Sequence, residues 1–158
     1  MPLHSAGLLV FDDAGDELRV FLAHMGGPLW ARKDGGAWSI PKGLHDPEVE
    51  QPQHAARREF QEEIGAAAPG ETLIDLGEVR QRSGKVVRAF AIRGNPSLAF
   101  VASNQFTMEW PPRSGRLAEF PEIDRAGWFT LEEARVKLVA GQVAFLQALS
   151  SHLESIRG

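Results

Sequence analysis

The sequence predicts an α+β fold in which a mixed β-sheet is covered by helices on both faces. Short apolar runs typical of strands precede and follow one helical segment, and apolar residues at helical spacing recur near the end of the chain. A length of 158 residues is about one domain. We therefore expect residues 1–158 to form a single domain with a buried core.

The first strands are predicted in the N-terminal part of the chain. The apolar run Ser5–Phe11 ends at the turn-like sequence DDAGD, and Glu17–His24 follows it, so the two segments are predicted to form a hairpin. Residues 25–37 are rich in glycine and polar residues, which indicates a long loop. No Gly-Lys-Ser/Thr sequence follows this loop, which excludes a P-loop. Residues 38–43, WSIPKG, are predicted to form a strand.

One short helix is predicted in the middle of the chain. Pro52 suits its first turn, where the missing N–H would be unpaired anyway, and Gly65 lies where a C-terminal cap is expected. Apolar residues fall close to helical spacing at Ala55, Ala56, Phe60 and Ile64. This helix therefore has one face suited to the core.

The second half of the chain contains further strands and two predicted helices. A second strand pair is predicted at Thr72–Arg80 and Lys85–Arg93, and another strand within Phe100–Trp110. Thr130 is a predicted N-cap, and Glu133 would complete a capping box with it. The last segment has apolar residues at helical spacing, namely Val143, Leu146, Leu149 and Leu153.

Three carboxylates are clustered on the side of the central helix opposite its apolar face. Glu59, Glu62 and Glu63 are neighbours at helical spacing, and like charges at such spacing destabilise a helix by about 0.2–0.5 kcal/mol per pair. They also lie in the last turn, where the helix dipole favours cations. Departures from local rules of this kind are concentrated at functional sites. Clustered carboxylates are the ligands that Mg²⁺ or Mn²⁺ prefers.

The segment Gly43–Ala66, GLHDPEVEQPQHAARREFQEEIGA, resembles the Nudix box, G-x5-E-x7-R-E-U-x-E-E-x-G-U, in which U is apolar. The second half of the box is filled in register by Arg58, Glu59, Phe60, Glu62, Glu63, Gly65 and Ala66. Glu50 stands at the required distance before Arg58. Six residues rather than five separate Gly43 from Glu50, so either the loop has one extra residue or Glu48 is the matching acid.

The resemblance implies a Nudix-type α/β/α sandwich and a Mg²⁺-dependent pyrophosphohydrolase. It implies metal ligation by Glu59, Glu62 and Glu63, with a backbone carbonyl of Gly43 or Lys42. The attacking water would be oriented or deprotonated by Glu59 or by an acid further along the chain. Arg58 and Glu50 would form a supporting ion pair.

The further acid is expected in a loop before an aromatic-led strand, as in many Nudix enzymes. Glu122 stands six residues before Trp128 of the sequence WFTL and matches this position, and Glu119 is the alternative.

Several residues outside the helix are candidates for contacts with a phosphorylated substrate. Lys42 of the lead-in WSIPKG would meet a phosphate as a point charge, and Arg113 and Arg116 carry planar guanidinium groups suited to phosphate. Trp30 and Trp38 flank the glycine-rich loop. The sequence allows two roles for each of them, stacking on a nucleobase or covering the hydrophobic core. The lead-in WSIPKG is similar to that of the branch acting on dinucleoside polyphosphates.

Composition excludes several other classes of function. The absence of cysteine excludes disulfides, thiol catalysis and cysteine-ligated zinc. A net charge of −4 argues against binding to long nucleic acids. We find neither a signal peptide nor a membrane-spanning run, so a cytoplasmic location without membrane association is expected.

We therefore expect hydrolysis of a pyrophosphate bond in a nucleoside diphosphate linked to another group. The expected substrate is a small nucleotide, with a nucleoside or dinucleoside polyphosphate favoured. The alternative is a Nudix-fold module that binds a nucleotide without cleaving it, although all three helical glutamates are retained.

Overall fold

The computed structural model describes residues 2–70 and 72–157 and contains nine strands. The strands are β1 (His4–Asp12), β2 (Arg19–Met25), β3 (Trp38–Ser39), β4 (Lys42–His45), β5 (Ile74–Arg80), β6 (Val86–Arg93), β7 (Gln105–Glu109), β8 (Leu117–Pro121) and β9 (Ile123–Thr130). The helices are α1 (Pro52–Ile64), α2 (Leu131–Lys137), a short 3₁₀ turn (Ala140–Gln142) and α3 (Ala144–Arg157).

Seven of the strands form one mixed sheet. Its main order is β3-β2-β1-β6-β5, with β4 paired to β1 and β9 paired to β2. The central pair β1–β6 is parallel, and the other pairs are antiparallel. Strands β7 and β8 form a separate antiparallel hairpin. This hairpin is followed directly by β9, with the single residue Glu122 between β8 and β9.

Both faces of the sheet are buried, because helices cover each of them. Successive residues of β1 point to opposite faces: Leu8 packs in the cluster that contains Phe60 of α1, whereas Leu9 packs in the cluster that contains Leu149 of α3. A strand buried on both faces has a nearly continuous apolar sequence, as β1 does. The structure confirms the predicted α+β sandwich.

Helix ends follow the predicted local signals. Pro52 opens α1, and Gly65 caps it in the left-handed conformation with φ of 84°, its N–H donating to the Gln61 carbonyl at 2.9 Å. Thr130 and Glu133 form the predicted capping box at the start of α2. No helix in the described part of the chain is long and apolar enough to cross a membrane.

One local prediction was wrong. Residues 38–43 do not form one strand, because β3 pairs with β2 whereas β4 pairs with β1, and the chain changes partner at Ile40 and Pro41. Pro41 has no N–H to donate, although its carbonyl accepts from Leu8 at 3.1 Å. Glu119, the alternative for the acid expected in a loop, lies on strand β8, whose short sequence contains a proline, whereas Glu122 lies between β8 and β9.

Candidate functional site

Helix α1 presents its glutamates to strand β4. The apolar face of α1 buries Ala55, Ala56, Phe60 and Ile64, which turns Glu59, Glu62 and Glu63 away from the core. The backbone N–H of Lys42 donates to Glu63 Oε1 at 3.0 Å. A Cβ added at Gly43 would overlap the Glu59 carboxylate, so a residue without a side chain allows this close approach. The start of the box loop and the end of α1 thus form one site.

Arg58 connects α1 to the preceding loop. Its Nε and Nη2 donate to the two oxygens of Glu50 at 2.9 and 2.8 Å, a bidentate ion pair. Its Nη1 donates to Glu59 Oε1 at 2.8 Å and to Glu62 Oε2 at 3.2 Å. The hydrogen bonds from Arg58 hold the pKa of Glu50 well below its usual range, at about 2. Glu48, the alternative box acid, is exposed.

In Glu59 and Glu63, two of the α1 carboxylates, the ionised form is disfavoured, mainly because these groups are partly buried. Burial raises the pKa of Glu63 to about 8, and the nearby charges of Glu122 and Glu59 add to this increase. Burial also raises the pKa of Glu59, with a contribution from the charge of Glu62. A raised pKa means that the ionised form of the carboxyl group is disfavoured, and a cation bound nearby would favour it again.

Glu122 joins the glutamates of α1 from a distant part of the sequence. It lies between β8 and β9, where its N–H donates to the Asn104 carbonyl at 2.8 Å and its carbonyl accepts from the Gly26 N–H at 2.8 Å. Burial and then the charge of Glu62 raise the pKa of the Glu122 carboxyl. Glu119 lies on β8 opposite Thr107 with its side chain exposed. The structure therefore brings Glu122, and not Glu119, to the acidic site.

Lys42 is a second cation at this site, beside Arg58, and its charge acts on Glu63 and Glu122. Burial lowers the pKa of its ammonium to about 8, and the neighbouring Lys85 contributes to this decrease, whereas Glu63 opposes it. Sequence reasoning did not identify Lys85, which precedes β6 and approaches Lys42 only because β4 and β6 flank β1.

The donor set suits a hard divalent cation, since carboxylate and carbonyl oxygens are the ligands such ions take. The raised pKa values of Glu59 and Glu63 fit the same chemistry, because a bound cation would favour their ionised forms. Among the described residues, however, no group of three or more acidic or histidine side chains is already arranged around one point. Arg58 instead neutralises part of the charge of Glu59 and Glu62.

A cleft of about 360 Å³ adjoins the acidic site at Glu122. Its walls are Met25, Gly26, Gly27, Pro28, Leu29, Trp30, Phe106, Met108 and Glu122. Sequence reasoning had identified only Trp30 and Glu122 of this set. Trp38, by contrast, is 5% exposed and donates its Nε1–H to Asp34 at 2.9 Å, so it serves as hydrophobic cover.

The two candidate arginines lie away from the acidic site. Arg113 and Arg116 are exposed residues of the turn that joins β7 to β8. The Glu122 end of this hairpin pairs Gln105 with Pro121, and the opposite end pairs Glu109 with Leu117. Four residue steps along a strand cover about 13 Å, so the structure does not bring these arginines to the carboxylates.

Comparisons with known proteins identify the fold and the family. A model of the NUDIX domain family matches residues 1–149. A comparison with curated protein sequences finds no significant match.

Solved structures similar to this chain include a C. elegans Ap4A hydrolase binary complex, with 22% identity and a TM-score of 0.64 over 96% of this chain and 98% of that one. A mutT/nudix family protein from Listeria innocua has 19% identity and a TM-score of 0.64 over 98% and 96% of the two chains. The NUDIX domain of Shewanella oneidensis NrtR, complexed with ADP ribose, has 15% identity and a TM-score of 0.62 over 97% and 89%. The fold and the matched residues confirm the resemblance of the box: the chain belongs to the NUDIX domain family.

Proposed function

We propose that this protein is a pyrophosphohydrolase that uses Mg²⁺, or Mn²⁺, to cleave a nucleoside diphosphate linked to another group. The observation that carries the proposal is the half-buried acidic site of Glu59, Glu62, Glu63 and Glu122. A pyrophosphate adds further negative charge to such a site, so it binds there only together with a cation.

The metal ligands in this proposal are Glu59, Glu62 and Glu63, with the backbone carbonyl of Gly43 or Lys42. The bound ion supplies neutralisation of phosphate charge and acidification of a water molecule. The protein's residues position the substrate and the attacking water, because displacement at phosphorus depends mainly on positioning and electrostatics.

Two carboxylates remain candidates for orienting or deprotonating the attacking water. Glu59 accepts a hydrogen bond from Arg58, which reduces its capacity to accept a proton. The pKa of Glu122 is raised, as is that of Glu59, but no hydrogen bond to a described residue contributes to the pKa of Glu122. These observations favour Glu122 as the base.

The other site residues are given positioning and binding roles. The bidentate pair of Arg58 with Glu50 holds α1 against the loop before it, and so orients the metal-binding side chains. Lys42 contacts a phosphate of the substrate from inside the site. Arg113 and Arg116 contact only a substrate long enough to extend along the β7–β8 hairpin.

For the substrate we propose a nucleoside or dinucleoside polyphosphate. The lead-in WSIPKG and the similarity in fold to the C. elegans Ap4A hydrolase support this choice. The likeness to a NUDIX domain complexed with ADP ribose is the reason to test ADP-ribose as well. A cytoplasmic location and a single domain over residues 1–158 belong to the same proposal.

The alternative is a module that binds a nucleotide without cleaving it. Retention of Glu59, Glu62 and Glu63 argues for catalysis, since binding alone does not require this costly set of charges.

The test is product release from a substrate panel with Mg²⁺, with Glu63→Gln beside the wild type. The panel contains nucleoside triphosphates, dinucleoside polyphosphates, ADP-ribose and a diphosphoinositol. Turnover of one class, reduced at least 100-fold in Glu63→Gln while the fold is retained, is the expected result. Nucleotide binding in calorimetry without any turnover would instead establish the binding module.

A further inference from the structure

His24 is a fully buried titratable residue near the end of β2, and both of its ring nitrogens contact oxygen atoms. Nδ1 lies 2.8 Å from Asp124 Oδ1, and Nε2 lies 2.7 Å from the Lys33 carbonyl oxygen. A carbonyl oxygen can only accept, and a carboxyl group is a stronger acid than an imidazolium, so the shared proton stays on the ring. Both nitrogens therefore donate, and the ring of His24 is an imidazolium.

The charge that faces this ring directly is the carboxylate of Asp124, which favours the imidazolium form. The Trp38 ring packs edge to face against the His24 ring, with the centroids 5.0 Å apart. The other charged side chains packed around this pair are Arg125, which also lies 3.4 Å from Asp124 Oδ1, Lys137 and Asp34, which are paired at 2.6 Å, and Lys33, whose ammonium lies over the Trp30 ring.

The carboxylate partner of His24 lies on a β-bulge of β9. In the pairing of β2 with β9, His24 is opposite Arg125 and Met25 is opposite Ile123, so Asp124 has no residue opposite it. An extra residue of this kind interrupts the ladder, bends the strand and changes the direction of nearby side chains, and bulges are frequent beside active sites. The hydrogen bond from His24 fixes the bulge through the side chain of Asp124.

Glu122, the proposed base, lies two residues before this bulge and is held against the same segment. The Gly26 N–H donates to the Glu122 carbonyl at 2.8 Å. A Cβ added at Gly26 would overlap the Pro121 carbonyl oxygen, so the two segments touch without room for a side chain. His24 and Gly26 thus hold Asp124 and Glu122, while the second donor of His24 attaches the loop of residues 25–37 through the carbonyl of Lys33.

We propose that His24 is a positioning residue for Glu122, and that it acts as an imidazolium whose two N–H groups fix the bulge at Asp124 and the loop of residues 25–37. The effect on catalysis rests on the proposed function, whereas the fixing of these segments does not. A neutral ring has one N–H and leaves either Asp124 or the Lys33 carbonyl without its donor. The position of Glu122 therefore depends on the second proton of His24.

The protonation of His24 is tested by ¹H–¹⁵N spectra of the histidine rings in the full chain at pH 6. We expect two slowly exchanging ring N–H protons for His24, because both are buried and hydrogen-bonded. A single ring proton, with the other nitrogen in the unprotonated form, would refute the imidazolium.

The fixing of the segments is tested by hydrogen exchange of the Gly26 N–H, whose bond to the Glu122 carbonyl must open for exchange. In His24→Gln this exchange should be at least 10-fold faster, because one amide group cannot reach both acceptors. The matched control is His152→Gln on α3, which should leave the exchange unchanged. Unchanged protection of Gly26 in His24→Gln would overturn the positioning role.

A second variant keeps the test valid if His24→Gln does not fold. Asp124→Asn retains the shape of the side chain and an acceptor oxygen but removes the charge that favours the imidazolium. It should lose one of the two ring N–H signals of His24 and exchange the Gly26 N–H faster. Two retained ring signals with wild-type protection would refute the dependence on the second proton.

The link to Glu122 is tested by a double-mutant cycle in kcat. His24→Gln should lower kcat at least 10-fold, with a smaller change in KM, whereas His152→Gln should have wild-type kinetics. In the Glu122→Gln background the same substitution should cost less than twofold, since no base remains to be positioned. Additive losses would show that His24 does not act through Glu122.

Failure of the proposed function is distinguished from failure of this inference. If no substrate is turned over, the proposed hydrolysis fails, and the ring spectra and the exchange of Gly26 decide whether His24 fixes the two segments. If turnover is found but both of these measurements are negative, the hydrolysis stands and the role of His24 is refuted.

Discussion

Gly43→Ala tests whether the close approach of β4 to α1 positions the acidic site. The added methyl group would overlap the Glu59 carboxylate, and the backbone of β4 is held by its pairing with β1, in which Gly43 lies opposite Ala6. Glu59 must therefore leave its position or β4 must shift. Because the overlap is with the end of a flexible side chain, the carboxylate can move, and we expect the loss in free energy of unfolding to stay below the range of about 1–3 kcal/mol typical of an overpacked core. A displacement of about 1 Å in a catalytic group lowers the rate about 100-fold.

The assay for Gly43→Ala combines three measurements: kcat/KM with Mg²⁺, Mn²⁺ affinity and denaturant unfolding. We expect a loss of about 100-fold in kcat/KM, weaker Mn²⁺ binding and a stability loss smaller than about 1 kcal/mol, since the Glu59 side chain can move. The matched control is Gly15→Ala, since a Cβ at Gly15 meets no atom within 4 Å. Wild-type turnover and Mn²⁺ affinity in Gly43→Ala would refute the reasoning, because Glu59 would then not depend on the position of β4.

Three further predictions concern the acids of the site. Because the pKa of Glu63 is raised from 4.5 to about 8 in the folded protein, the protonated form is favoured and stability without metal is lost as the pH rises from about 4.5 to 8. Denaturation at a series of pH values should show this loss, which Glu63→Gln abolishes and which added Mg²⁺ reduces in the wild type. In steady-state kinetics, Glu122→Gln should lower kcat at least 30-fold, whereas Glu119→Gln should leave kcat unchanged. If Glu119→Gln lowers kcat and Glu122→Gln does not, Glu119 is the base. Glu50→Gln should lower the free energy of unfolding by about 1 kcal/mol, since it removes the charge of Glu50 from the bidentate pair with the partly exposed Arg58. Urea unfolding measures this loss, and an unchanged midpoint would show that the pair does not stabilise α1 against the loop.

The features that sequence reasoning located correctly are those set by short-range spacing. Helical periodicity places Glu59, Glu62 and Glu63 on one face and Phe60 on the other, whatever the rest of the chain does. The cap at Gly65 and the capping box of α2 are likewise local, because each depends on residues within one helical turn.

The features for which the sequence leaves alternatives depend on pairings between distant segments. The sequence alone favours Glu122 but leaves Glu119 as an alternative. In the structure, the Gly26 N–H donates to the Glu122 carbonyl next to the pairing of β2 with β9, and this contact holds Glu122 at the acidic site. The sequence does not decide between stacking and hydrophobic cover for Trp30 or Trp38, but in the structure Trp38 is buried by the sheet, whereas Trp30 lies at the cleft.

The sequence by itself determined the family and the glutamates of α1, because these follow from spacings within one segment, and it indicated the fold class through the order of its apolar runs and helical segments. Only the tertiary structure brought Glu122 to those glutamates, formed the apolar cleft from residues 25–30 and the β7–β8 hairpin, and left Arg113 and Arg116 at a distance. The physical reason is that strand register and partner choice are settled by packing across the whole sheet, and no local pattern contains that information.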